Sequence, residues 1–136
     1  MMRRLPVHLA VAVSLAAVCG CSTPSERRDA ATAAARHYAQ AVRAGDWAMA
    51  CAALAPTSRE ELEQAGKSSC PDALGQEELP DAGEARHTDV HGNQARVVFA
   101  QDTVFLARFP SGWKVTAAGC HEQAGDEPYQ CEIKGR

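Results

Sequence analysis

Large aromatic side chains are scarce: the 136 residues hold 2 Trp, 2 Tyr and 3 Phe. The chain has no G-x-S-x-G, no P-loop and no glycine-rich dinucleotide fingerprint, so serine-nucleophile chemistry and nucleotide binding have no anchor. It has no C-x₂-C pair, which the common four-cysteine zinc sites use. A basic stripe is missing too, which argues against nucleic acid as a partner. The longest apolar run, Leu5 to Val18, contains Pro6, His8 and Ser14 and falls short of the roughly 20 residues a bilayer-spanning helix needs.

What is present begins with a three-zone N-terminus. Arg3 and Arg4 start it, the apolar run carries no acid, and Val18-Cys19-Gly20-Cys21 follows. A charged start, a short apolar stretch and small residues before a cut are the marks of a secretory signal. Val18, Gly20 and Cys21 resemble the lipobox of bacterial lipoproteins, in which an aliphatic residue and small residues precede the acylated cysteine. Cys19 is an unusual middle residue. It is a poorer candidate for acylation than Cys21, because bulky Val18 would then occupy the small position before it. An ordinary signal peptide cut near Gly20 is the plain alternative, and the residues flanking Arg3-Arg4 match a twin-arginine signal poorly. The expectation is a signal at 1–20, lipidation (palmitate among the acyl chains) at Cys21, an acylated tether at 21–28 and one domain at 29–136, anchored at the extracytoplasmic face of a cell membrane. Several acyl chains hold firmly where one holds weakly, at about 0.8 kcal/mol per buried CH₂.

Cleavage would remove Arg3 and Arg4 and no acid, leaving the mature chain mildly acidic with 17 Asp and Glu. Cys51, Cys70, Cys120 and Cys131 would remain beside Cys21, and an even number of cysteines in an exported domain implies disulfides. Three pairings are open. Cys51–Cys70 with Cys120–Cys131 is favoured, because each pair brackets one local unit. Bridges closing loops of about 12 to 20 residues are worth roughly 3 kcal/mol each in the chain-entropy model.

Along the domain, Ser22 to Arg28 is polar. Asp29 to Ala44 repeats Ala31, Ala34, Ala35, Tyr38, Ala41 and Val42 at helical spacing. Gly45 suits the helix end, and Asp46 can cap a second helix over Trp47 to Leu54. Thr57-Ser58-Arg59-Glu60 has capping-box spacing, which predicts a third helix from Ser58 to about Ala65. Residues 67 to 82 read as a loop. From about Glu84 alternation takes over, with strands at Arg86–His91, Gln94–Ala100, Thr103–Phe109, from Trp113 onward, and Gln130–Lys134. Helices followed by an antiparallel meander define an α+β class, with the helices across one face of a curved sheet.

Two stretches carry a resemblance. HYAQAVRAGDWAMACAAL is similar to the opening of NTF2-like (SnoaL-like) cone domains, and ARVVFAQDTVFLARFPSGWKVTAAGC resembles the strands of small actinobacterial lipoproteins of unassigned function. The resemblance implies an NTF2-like cone and no particular activity. Where such cones bind ligands, acids, Tyr or His line a pocket between helices and sheet. Tyr38, Trp47, Phe99 and Phe105 are the residues expected at that pocket. Tyr38, His37, Asp46 and Asp102 are the acid–base candidates, set against core packing for Tyr38 and helix capping for Asp46. Trp113 is expected in the core. His87 and His91, four apart, would share a helix face, but on a strand they stand about 13 Å apart, too far for one ion; His121 adds no fixed third ligand.

No catalytic constellation, metal site or cofactor emerges. The expected function is a lipid-anchored, non-catalytic domain binding a small apolar ligand or an envelope protein. The rivals are a cone-fold isomerase or hydrolase acting on a small apolar substrate, and a purely structural envelope accessory.

Overall fold

The computed structural model describes residues 20–135. The signal segment and Cys19 lie outside the described residues. Four helices come first: α1 (Pro24–Ala44), α2 (Trp47–Ala53), α3 (Pro56–Gly66) and α4 (Cys70–Leu74). Five strands follow: β1 (Ala85–His91), β2 (Gln94–Phe99), β3 (Thr103–Phe109), β4 (Gly112–His121) and β5 (Gln130–Ile133). None of the described helices is long and apolar enough to cross a membrane.

Helix α1 starts at Pro24, inside the stretch expected to be tether. The cause is local. The Thr23 hydroxyl accepts the Glu26 N–H at 3.2 Å, and the Glu26 carboxylate accepts the Thr23 N–H at 2.7 Å. That reciprocal capping box satisfies two otherwise orphaned donors, and Pro24 at the first helical position gives up an N–H the helix does not use. The helix ends at Gly45, which adopts a left-handed φ of 67° that a side chain would disfavour. Its buried stripe is Ala31, Ala35, Tyr38 and Ala41. Asp46 caps α2 by accepting the Met49 N–H at 3.1 Å.

Helix α3 departs from its predicted start. Pro56 takes the first helical position and Ala55 the cap, with no side-chain capping bond. Ser58 therefore lies one turn inside the helix, fully buried, and its hydroxyl donates to the Thr116 carbonyl at 2.8 Å. The 67–82 segment is not all loop: α4 forms from Cys70 to Leu74, too short for any periodicity to announce it. A disulfide joins Cys70 to Cys51 on α2 and so ties α4 to the first helices.

The strands form an open antiparallel sheet in sequence order, β1-β2-β3-β4-β5. Register places Ala95 opposite Leu106 and Val97 opposite Val104, and all four are buried beneath the helices. Helix α1 packs on β1, β2, β3 and β4. The α2–α3 junction borders β4, where Ala55 donates its N–H to the Val115 carbonyl at 2.7 Å. Strand β5 is joined to β4 by a disulfide between direct cross-strand partners, Cys120 and Cys131. Both bridges follow the pairing favoured from the sequence.

Alanine is the commonest buried residue among those described, which lets α1 approach the sheet closely. Each alanine adds little transfer energy, whereas the fully buried Leu74, Leu106, Ile133, Val97, Val104 and Val115 contribute about 1.5–3 kcal/mol each. In so lean a core, two bridges of roughly 3 kcal/mol carry a large share of a net stability that is typically about 5–15 kcal/mol.

Candidate functional site

The residues expected at one interior pocket do not all meet. Tyr38 and Phe99 are buried in the core between α1 and the sheet, and Trp47 packs half-buried against the same core beside Gly75. Phe105 belongs to the other face. Strand alternation turns it away from its buried neighbours Val104 and Leu106, and its ring meets Tyr129 edge-on at 5.1 Å between centroids. Trp113, expected in the core, is half-buried and packs at its margin.

Two of the acid–base candidates, Asp102 and Tyr38, are both buried. Asp102, in the turn between β2 and β3, is 8% exposed. Its carboxylate accepts the backbone N–H groups of Thr103 at 2.7 Å, Cys120 at 3.0 Å and Gly119 at 3.2 Å. Gly119 holds a φ of 64°, and a Cβ there would press on Glu132. The glycine thus permits the backbone kink that aims two successive amides at Asp102. Burial pushes the Asp102 carboxyl above its ordinary range, opposed by those three donors and by the His121 charge. Tyr38 is 2% exposed and, among the described residues, its hydroxyl has no hydrogen-bond partner. Burial, with the charge of Asp102 adding to it, drives the phenol far above the usual tyrosine range. A phenol so held stays protonated and keeps its O–H as a donor. The Asp102 carboxylate is a staple between the β2–β3 turn and β4.

Elsewhere the candidates separate. His37 and His121 are exposed, and Asp46 is engaged as the α2 cap. Cys21 is exposed and carries a free thiol two residues before the Thr23 cap. Among the described residues no group of three or more His, Cys, Asp or Glu is placed to hold a metal ion.

A polar chain on the outer face of the sheet escaped sequence reasoning. His87 Nε2 lies 2.8 Å from Asp89 Oδ1, and Arg96 donates to Asp89 Oδ2 at 2.5 and 3.2 Å. Arg96 also reaches the Tyr129 hydroxyl at 3.4 Å, which donates to Glu122 at 2.8 Å. Asp89 and Arg96 are direct cross-strand partners. The signal that could have found them is the outward alternation of both strands once the Gly92-Asn93 turn sets the register. The Arg96 hydrogen bond, then that of His87, holds the Asp89 carboxyl below its ordinary range. The Glu122 hydrogen bond pushes the Tyr129 phenol upward, away from ionisation. Every charge in this chain of contacts is met by a neighbour, and the arrangement holds β1, β2 and the 122–129 excursion together.

Open clefts lie along α1. One of about 610 Å³ runs between the helix residues Arg28, Thr32 and Arg36 and the whole length of β1. A second, of about 490 Å³, continues it past Arg36 and Ala85 toward Arg43 and Asp81. No family model matches the chain, and comparison with curated proteins and with solved structures yields no match.

Proposed function

We propose that this chain is a lipid-anchored domain on the extracytoplasmic face of a bacterial membrane, and that it works by binding an envelope partner rather than by catalysis. The observation that carries the reading is the packing between α1 and the sheet. Tyr38, Phe99, Val97, Val104 and Leu106 occupy the space where a cone-type domain would receive a substrate. What stays accessible is a set of open surface clefts, along α1 and β1, between α3 and β5, and at the β2–β3 turn beside β4. The NTF2-like reading of the domain rests on the stretches quoted above, with helices followed by an antiparallel sheet as its coarse support. The exposed, unpaired Cys21 supports the anchor, and α1 begins so soon after it that the domain would stand close to the lipid surface.

Two measurements test this. Cys21→Ala should move the protein from the membrane fraction to the soluble one; continued attachment would remove the anchor at that position. Native mass spectrometry of protein isolated gently from its own envelope should show a bare domain, with crosslinking recovering a protein partner. A reproducible small-molecule mass would overturn the packed-interior reading. The enzyme reading keeps one specific observation in its favour, the unpartnered Tyr38 hydroxyl close enough to feel the charge of buried Asp102.

A further inference from the structure

We infer that the groove between α1 and β1 receives an extended acidic peptide segment, added to the sheet as a strand beside β1. The inference rests on the binding-module reading above and names the chemistry of the partner.

Strand β1 is an edge. It pairs with β2 on one side, and among the described residues its other side makes no backbone hydrogen bond. Such a row of free N–H and C=O groups is a template for another strand. The other edge, β5, is only four residues long. A bulge between Ala85 and His87 sets Arg86 out of register, so the regular template is His87–His91. A helix flanks the open edge along its length. The Thr32 and Thr88 hydroxyls, 2.7 Å apart, pin α1 to the middle of β1, and the Arg27 guanidinium donates to the Gly92 carbonyl at one end. The groove between helix and edge is the cleft of about 610 Å³.

Its charge selects the occupant. Arg28, Arg36 and Arg86 line it, all exposed and, among the described residues, in no ion pair. Asp29 is the one acid facing them that is not already engaged, since Asp89 is held by Arg96 and His87. This basic strip stands out on a chain whose acids outnumber its bases. A second copy of the same edge would bring arginine against arginine, which disfavours self-pairing.

The spacing is also specific. Arg28 and Arg36 are two helical repeats of four apart, about 12 Å along the helix axis. Residues i and i+4 of an added strand are about 13 Å apart and point to the same side. Carboxylates at i and i+4 therefore meet Arg28 and Arg36, with a small polar residue at i+2 facing Thr32.

The test uses the full chain, solubilised in mild detergent, and a capped peptide Ser-Glu-Val-Thr-Val-Glu-Ser. Controls replace both glutamates by lysine, or place them side by side. Fluorescence anisotropy should show binding by the first peptide, weakened about tenfold or more in either control. Hydrogen exchange should slow at alternate amides of His87–His91. The double variant Arg28→Glu, Arg36→Glu, whose exposed positions leave the core untouched, should lose the glutamate peptide and gain the lysine one. Absence of binding at about 1 mM peptide, equal binding of all three peptides, or binding without β1 protection would overturn the inference. So would β1 protection in the absence of peptide, which would mean self-pairing. If the peptide fails while crosslinking still recovers an envelope protein at another face, the groove is wrong and the binding module stands. If both fail, the broader reading falls as well.

Discussion

The buried and exposed sides of the sheet each hold an aspartate, by opposite means. Asp102 lies in the protein interior and accepts three backbone amides; among the described residues no cation pairs with it directly. Asp89 lies on the outer face and is held by two side chains, Arg96 and His87. Burial drives the first carboxyl up, and hydrogen bonds from cationic or protonatable partners draw the second down. The inner group is part of the frame. Removing it would strand buried donors. The outer group sits in screened solvent, where ion pairs contribute little and partners can be exchanged.

The contrast is broken most directly at Asp102. Asp102→Ala would leave the N–H groups of Thr103, Gly119 and Cys120 without their acceptor. At about 1–3 kcal/mol for each orphaned group, with partial rescue by water, the expected loss is on the order of 4 kcal/mol. Urea denaturation would read it as a lowered midpoint. A loss below about 1 kcal/mol would mean that the staple does not hold the β2–β3 turn to β4.

The disulfides come next. Replacing both Cys120 and Cys131 by serine should cost roughly 3 kcal/mol, visible as a lower melting temperature. The Cys51–Cys70 bridge should stay closed to thiol probes in that variant. Labelling of Cys51 there would contradict the pairing.

Tyr38→Phe cuts between the functional readings. Among the described residues the buried hydroxyl has no partner, so removing it should leave stability unchanged or raise it by about 1 kcal/mol. A destabilisation of that size would reveal a bound water or ligand at the hydroxyl, and would move the balance toward the enzyme.

These sites differ in how far the sequence discloses them. The β3 bounds, the Gly45 end of α1 and the Asp46 cap were readable, because each depends on residues within a turn of one another. The start of α1 was readable too, in Thr23-Pro24-Ser25-Glu26, but its polar composition pointed to a tether. The role of Ser58 was hidden, because Pro56 moves the helix start two residues earlier and places Ser58 inside the helix, facing inward. The Asp102 staple and the reach of Arg96 to Tyr129 join segments distant in sequence, so no local pattern encodes them, whereas the Asp89–Arg96 pair follows from the hairpin register. Phe105 is a different case: alternation within β3, a local pattern, turns it to the face opposite Val104 and Leu106.

The smallest expected effect is the sharpest form of the comparison, because it has a sign. A carboxyl raised in the folded state binds its proton more tightly there than in the unfolded chain, whose value is about 3.9. Asp102 therefore contributes stability that is complete below that value and is lost as pH rises through its raised folded value. A lowered carboxyl does the reverse. The contribution of Asp89 is complete above about 3.9 and is lost as pH falls through its folded value. Denaturation midpoints measured from about pH 2.5 to 6, spanning the reference carboxyl value, should separate the two. Asp102→Asn should remove a decline in stability on the alkaline side of that value, while Asp89→Asn should remove a decline on its acid side. Slopes of the same sign in both variants would mean that the three amides of Thr103, Gly119 and Cys120 outweigh burial at Asp102. The inner carboxylate would then be charged and satisfied at all working pH, and the buried Tyr38 phenol would feel a permanent negative charge.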